Sequence, residues 1–584
     1  MSTVNVTING RTYDLPDGIT VLDACKQSGV YVPTLCHHPR LEATGGCRIC
    51  VVEVEGARNL QPACVTLIRD GMVINTSSDR VSNARKLNLA LILSRHPNEC
   101  MNCESNGRCE LQDLVYRYDV EPIFPKTEKT NSIFDDSSLS IIRDLDKCIS
   151  CSRCVRACSQ LQDMNIYGMA ERGANTLPLT AFNIPVNETD CINCGQCSAF
   201  CPVGAITENS AVREMSKMLD KKDKILVVQT APATRVAISE EFGMKPGSSS
   251  TGHMVAALKA LGFDYVFDTN FSADLTIMEE GSELLERLKE GGPFPMFTSC
   301  CPGWVNMMEK QYPQYVNNLS SAKSPQQMLG SVIKSYFAEK IGVSSDQIFS
   351  VSIMPCTAKK DEAQRPQHMM ENGDPHVDLV LTTRELAKLI RLRKIPFASL
   401  EEMKYDDPLG ESTGAAVIFG NTGGVMEAAL RTAYELATGT PLPKIDFIPA
   451  RGLEGIKDAS VDVNGTELRI AIAHGGANVK KLLEKLENGE ANYHFIEIMA
   501  CPGGCIGGGG EPYSLDENIL EKRIAGVYDI DEAQTLRKSH ENPSITKIYE
   551  DYFDKPLSHR SHELLHTHYS DRSKDKCVKE EAEA

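Results

Sequence analysis

Apolar and polar residues alternate through "TVNVTI" at positions 3 to 8, "NG" follows at 9 and 10, and "TYDL" returns. Period-two alternation on both sides of an Asn-Gly pair predicts a β-hairpin. Thr20 then stands where a helix N-cap belongs, with Asp23 at the third position instead of the usual glutamate, and Gly29 lies near the end of that short helix. From about residue 210 to 530 the texture changes. Strand-like runs, "KILVVQTAP", "PMFTSCC", "IFSVSIMPC", "VDLVLTT", "AAVIFG", "LRIAIAHGG" and "HFIEIMAC", alternate with amphipathic helical stretches. That alternation predicts α/β architecture with mainly parallel, buried sheets. Three of the runs end in cysteine. Ligands of open α/β sheets sit beyond the carboxyl ends of the strands, so Cys300, Cys301, Cys356 and Cys501 are expected to meet in one buried place, with Cys505 on the following loop. The loop "CPGGCIGGGGEP" carries six glycines, which let backbone approach a bulky inorganic group.

At 584 residues the chain is long enough for several domains. A net charge of −18 argues against a nucleic-acid backbone as partner. The N-terminus "MSTVNVTING" lacks a signal-peptide pattern and no apolar run approaches the roughly 18 residues of a membrane span, so a cytoplasmic location is expected. The chain has 22 cysteines, but secreted disulfide scaffolds are far shorter than this chain, and short Cys-x2-Cys steps recur through the first 201 residues. Thiolates binding metal in a reducing compartment are expected.

Cys36, Cys47, Cys50 and Cys64 are spaced C-x10-C-x2-C-x13-C. Three cysteines from a loop and one distant closing residue follow the general logic of plant-type 2Fe-2S binding, with zinc as the alternative. His96, Cys100, Cys103 and Cys109 follow in "HPNECMNCESNGRC", a donor set that suits zinc or iron-sulfur equally. Residues 148 to 158, "CISCSRCVRAC", and 191 to 201, "CINCGQCSAFC", are two copies of C-x2-C-x2-C-x3-C. In two-cluster bacterial ferredoxins the fourth cysteine of each run ligates the other cluster. Cys148, Cys151, Cys154 and Cys201 are therefore expected to hold one 4Fe-4S cluster, and Cys191, Cys194, Cys197 and Cys158 another. Four clusters in series would form an electron wire.

The first two motifs, in this order, resemble the start of the large iron-sulfur subunit of respiratory complex I and of modular iron-only hydrogenases, where the second motif holds a His-ligated 4Fe-4S cluster. "TSCCPGW", "MPCTAKK" and "MACPGGCIGGGGEP", with "TIMEEGSEL" and "NLSSAKSPQQ", resemble the signatures of iron-only (FeFe) hydrogenases through nearly the whole chain. The resemblance implies a multidomain α+β chain. A β-grasp ferredoxin-like domain would span 1–80, a His-ligated cluster domain 81–138, a two-cluster ferredoxin domain 139–209 and a large α/β catalytic domain 210–530. A wrapping segment over 531–569 would follow; the tail over 570–584 is charged and poor in apolar residues, so it is expected to be disordered or a docking arm. The resemblance further implies that Cys301, Cys356, Cys501 and Cys505 bind a 4Fe-4S cluster, bridged through Cys505 to a diiron unit with CO, cyanide and a dithiolate amine. The reaction would be reversible reduction of two protons to H2. Lys359 would face a cyanide, Met354 and Met499 would pack around the diiron unit, and Pro232, Gly423 and Gly424 would help wall the pocket.

Four cysteines complete a 4Fe-4S cluster, so Cys300 is surplus to it. The resemblance assigns it proton transfer to the bridging amine, with Glu280, Ser320, Glu283 and Arg287 completing a relay. Many ferredoxin-linked members have serine where this chain has Ala233, and alanine there resembles NAD(P)-linked, multi-subunit members. Implied partners are a flavin- and NAD(P)-binding subunit, a small 2Fe-2S subunit, ferredoxin and maturation proteins. The alternatives are a monomeric ferredoxin-dependent hydrogenase and a non-catalytic electron-transfer subunit like that of complex I. "HELLH" at 562 to 566 fits a zincin pattern but is read as packing, and "FGNTGGVMEAALR" lacks the G-x-G-x-x-G of a dinucleotide turn, so no NAD site is expected in this chain. Cys25 and Cys577 receive no role.

Overall fold

The computed structural model describes residues 2–126, 132–440, 444–463 and 465–573; Cys577 lies outside them. Thr3–Ile8 pairs antiparallel with Arg11–Pro16, and Asn9 and Gly10 turn the chain with φ of 49° and 80°, as an Asn-Gly hairpin requires. Thr20 caps the helix Val21–Gln27. Asp23 N–H donates to Thr20 Oγ1 at 3.1 Å and Thr20 N–H donates back to Asp23 at 3.3 Å, so the shorter acid still closes the capping box. The hairpin belongs to a five-stranded sheet completed by Met72–Asn75, Val51–Val54 and Gln61–Pro62, and Cys25 is buried in its core. Helices Asp79–Leu93 and Glu110–Tyr118 follow, then a three-stranded sheet of Ile206–Glu208, Ile141–Asp144 and Phe134–Asp135 beside the two cysteine runs.

Beyond residue 224 there are two four-stranded sheets. One has the order Tyr265–Asp268, Ile225–Thr230, Ile348–Met354, Leu379–Thr382, parallel throughout. The other has the order Met296–Phe297, Phe495–Met499, Thr466–His474, Ile456–Val463, parallel except for the final hairpin pair. The chain is thus mixed α/β and multidomain, with mainly parallel sheets. Two strand expectations are corrected. "AAVIFG" is helical, Gly414–Val417 running into a 3-10 turn at Ile418–Gly420, because this run is buried on every side and so carries no periodicity to tell strand from helix. In "PMFTSCC" only Met296–Phe297 pairs, leaving both cysteines on the loop beyond.

The 22-residue helix Thr269–Glu290 is the central pillar, and the C-terminal segment is fastened to it through Glu279. The fully buried Glu279 carboxylate accepts from Tyr549 Oη (2.5 Å) and Leu557 N–H (2.9 Å), and it faces His566 Nε2 at 2.9 Å. This explains "HELLH": His566 also faces Ser321 Oγ at 2.8 Å, while Glu563 pairs with exposed His559, so the motif's groups do not share a ligand position. Docking continues past residue 569. Ser570 N–H and Arg572 N–H both bond to Glu309, so of the two expectations for this tail, disorder or a docking arm, its first residues follow the second. Removing one partner of a buried ionic network costs about 3 to 5 kcal/mol. Glu279→Ala is expected to lower stability by that order and to expose residues 543–566 to protease, measured by denaturation and limited proteolysis.

Candidate active site

Each edge of the site is the end of a strand. Pro232 follows Ile225–Thr230, Cys356 follows Ile348–Met354, Cys501 follows Phe495–Met499, and Cys300 and Cys301 follow Met296–Phe297. The two sheets therefore aim their carboxyl ends at one place. Cys300, Cys301, Cys356, Cys501 and Cys505 line a single cavity with Pro232, Met354, Met499 and Lys359. Among the described residues every cysteine is a free thiol.

The donor set fits an iron-sulfur group. Burial, reinforced by the neighbouring thiols, pushes Cys356 up to about 12 and raises Cys501 and Cys505 as well. Four thiols crowded into a buried cavity repel one another as thiolates, and a cationic iron core removes that conflict while coordinating each sulfur. Lys359 supplies the cavity's cation. Burial would lower its pKa, but Glu362 at 2.9 Å outweighs that and holds the ammonium charged, while Nζ also donates to the Cys300 carbonyl at 3.1 Å. Glu362 is a site residue the sequence reading missed. It also accepts from Ser324 and Gln326 at 3.0 Å, and the available signal was the Lys-x-x-Glu spacing inside Ala358–Ala363.

The glycines play a different part from the one expected. Gly423 and Gly424 lie behind the cavity, where a Cβ would stand 1.9 Å from the Ala450 oxygen and 1.7 Å from the Ile418 oxygen, so they permit close backbone packing and do not line the wall. Ala233 also lies one residue behind the lining, packed in the core near Gly420. Gly504 and Gly508 are the lining glycines, and a Cβ on Gly508 or Gly509 would strike the oxygen of Pro355 or Cys194 at 2.2 Å. The glycine run thus threads between the Cys356 loop and the Cys194 loop.

Glu280, Glu283 and Arg287 share one face of Thr269–Glu290. Arg287 Nη2 donates to Glu283 at 2.6 Å and Ser320 Oγ donates to Glu283 Oε2 at 2.9 Å. Glu280 lies deeper, with both carboxylate oxygens buried and without a hydrogen-bond partner. Burial first and the Glu283 charge second push it up to about 8, and burial together with the Glu280 charge raises the Cys300 thiol. An orphaned carboxyl that ionises near neutrality can both take and give a proton.

Four further thiol groups lie outside this cavity. Cys36 and Cys47 exchange N–H to Sγ contacts at 3.4 and 3.5 Å, and Cys50 and Cys64 stand 3.4 Å apart. His96, Cys100, Cys103 and Cys109 line one pocket, and Cys158, Cys191, Cys194 and Cys197 line another. Burial raises the Cys151 and Cys154 thiols, and Cys201 and Cys148 lie close enough to add to the rise in both. Interlocking bonds join the Cys191 run to the main cavity: Thr357 Oγ1 donates to the Asn193 oxygen at 2.8 Å and Gln196 Nε2 to the Gly507 oxygen at 2.9 Å.

Thiols delivered from two parallel sheets into one cavity, with further thiol groups reaching outward, define an iron-sulfur oxidoreductase. Residues 224–509 match the family described as Iron only hydrogenase large subunit, C-terminal domain, and 517–572 match Iron hydrogenase small subunit. Residues 1–79 match a 2Fe-2S iron-sulfur cluster binding domain, 85–123 the NADH-ubiquinone oxidoreductase-G iron-sulfur binding region, and 147–205 a 4Fe-4S dicluster domain. The NADP-reducing hydrogenase subunit HndD of Solidesulfovibrio fructosivorans is 50% identical over 98% of this chain and 100% of its own. Iron hydrogenase 1 of Clostridium pasteurianum is 42% identical over 97% of this chain and 99% of its own. A solved FeFe-hydrogenase HydA1 variant from Chlamydomonas reinhardtii superposes with a TM-score of 0.57 at 48% identity, covering 62% of this chain and 99% of that one. The chain belongs to the iron-only (FeFe) hydrogenase family: it is an oxidoreductase acting on H2, with accessory iron-sulfur domains. Among the described residues no helix is long and apolar enough to cross a membrane.

Proposed function

We propose that the cavity would hold an H-cluster, with Cys301, Cys356, Cys501 and Cys505 as the residues that would ligate its 4Fe-4S part. The observation that carries this is the meeting of those four thiols with Lys359, Met354 and Met499 in one cavity. When bound, the group supplies the redox chemistry that interconverts two protons, two electrons and H2. The chain's own residues do the rest. Lys359, oriented by Glu362, places a fixed positive charge at the cavity wall where an anionic ligand is stabilised. Met354 and Met499 exclude water with soft side chains. Cys300 carries protons between the cavity and Glu280, and Ser320, Glu283 and Arg287 pass them towards the surface.

Cys36, Cys47, Cys50 and Cys64 hold a 2Fe-2S cluster in this reading, within a β-grasp domain over 1–80. His96, Cys100, Cys103 and Cys109 hold a 4Fe-4S cluster within 81–138, and the crossed cysteine runs hold two more within 139–209. The catalytic domain spans 210–530 and its wrapping segment 531–569. Near-complete coverage of a relative named as an NADP-reducing hydrogenase subunit, together with Ala233, favours work in a cytoplasmic NAD(P)-linked complex with a flavin- and NAD(P)-binding subunit and a small 2Fe-2S subunit. Ferredoxin would serve as a further electron partner and maturation proteins would deliver the diiron unit.

Infrared spectra of the matured protein are expected to show CO and cyanide bands, and their absence would reject the H-cluster. Anaerobic purification from the native host is expected to bring down a flavoprotein partner. A lone chain that exchanges electrons rapidly with ferredoxin would reject the complex and favour the monomeric reading.

A further inference from the structure

The short helix Arg153–Arg156 lies inside the first cysteine run and carries two buried arginines one turn apart, 1% and 6% exposed. Neither is committed to its own run alone. Arg153 forms a two-point fork on Glu110, Nη1 to Oε1 at 2.6 Å and Nη2 to Oε2 at 2.8 Å, and Nη2 also donates to the His37 oxygen at 2.7 Å. Glu110 follows Cys109 in the chain and His37 follows Cys36. Arg156 Nη2 donates to the Cys36 oxygen at 2.5 Å and to the Cys151 oxygen at 3.3 Å, while its Nη1 donates to the Glu42 oxygen. Two guanidinium groups therefore tie three thiol groups together: the one at Cys36, the one at Cys109 and the one at Cys151. A planar guanidinium that stays charged when buried holds its donors in fixed directions and so fixes oxygens from separate loops in one arrangement, which the freely rotating ammonium of lysine does not impose.

We propose that Arg153 and Arg156 are positioning residues of an electron junction: they lock both peripheral loops onto the run at 148–158, and the charge of Arg156, which unlike that of Arg153 is not met by a carboxylate, favours reduction of the group held there. This rests on the ligand assignment given under the proposed function. One electron leaves either peripheral group and reduces the group at the junction; no bond and no proton changes hands. A buried cation near a reducible centre favours its reduced form, which carries one more negative charge.

The test uses the purified full chain with its clusters, in potentiometric EPR titrations accompanied by iron analysis. Arg156→Gln is expected to retain its iron while the cluster at 148–154 loses about tenfold in electron affinity, about 59 mV for a one-electron couple. Arg156→Lys is expected to restore most of that affinity, because the charge returns, yet to weaken the magnetic coupling between this cluster and the one at Cys36, because the fork to two ligand carbonyls is broken. Arg153→Gln is expected to act instead on the coupling to the cluster at Cys109. Unchanged potentials in Arg156→Gln with a full iron complement would overturn the junction and reduce the arginines to domain packing. Should Arg156→Gln lose iron, Arg156→Lys decides, and unchanged coupling there overturns the proposal. A wild-type chain with fewer than four accessory cluster signals would overturn the ligand assignment itself, a separate failure.

Discussion

Cys300→Ala is expected to lose H2 evolution by on the order of 100-fold or more while keeping its iron and its CO and cyanide bands. Its neighbour should behave in the opposite way: Cys301→Ala should fail to hold a stable cluster. The contrast follows from two roles in adjacent residues. Both thiols line the cavity, but a cube needs four of the five available cysteines, and Cys300 is the one whose thiol is raised first by burial and then by the Glu280 charge. A cluster that loses a thiolate loses a covalent anchor. A relay that loses a thiol loses one short hop, because the methyl group of alanine neither takes up nor releases a proton. Turnover rates beside infrared spectra of both variants decide the matter, and near wild-type turnover in Cys300→Ala with intact bands would show that protons take another route.

Where local chemistry dictated structure, the sequence was readable. The Asn-Gly turn, the Thr20 cap and the strand runs ending at Thr230, Met354 and Met499 are each set by a few neighbouring residues, and each stands close to its expected place. The meeting of cysteines beyond strand ends was legible for the same reason. What was hidden depended on partners far along the chain. The run 415–420 is helical because it is packed on all sides, and Gly423 and Gly424 matter through the oxygens of Ala450 and Ile418, contacts that no spacing within their own segment reveals. Glu362 was available as an i+3 partner of Lys359 but looked like one more charge on a solvated helix. Its burial, at 5% exposure, is what makes it a site residue. The arginines inside "CSRCVRAC" were likewise unremarkable until their acceptors, Cys36, His37 and Glu110, came from more than 40 residues away.

Glu280→Gln should separate the proton-carrying role of this carboxyl from its place in the packing. The two side chains are nearly the same size, so the helix Thr269–Glu290 and the cavity behind it should be preserved. An amide can donate a hydrogen bond but cannot take up a proton and release it again, so turnover should fall on the order of 100-fold or more at every pH, as for Cys300→Ala. Stability should move the other way, and with a definite pH dependence. Burial, then the Glu283 charge, carries Glu280 from the ordinary 4.5 to about 8, so between these values the folded chain binds more protons at this site than the unfolded chain does. Its contribution to stability is therefore largest below about 4.5 and declines as pH rises towards 8, because ionising the carboxyl in a site without a hydrogen-bond partner is unfavourable. Glutamine does not ionise. Relative to wild type, Glu280→Gln should gain little near pH 4.5 and progressively more up to pH 8, read from denaturation midpoints across that range. A stability difference that stays flat from pH 4.5 to 8 would show that Glu280 is solvated in the native protein, and retained turnover would remove it from the relay.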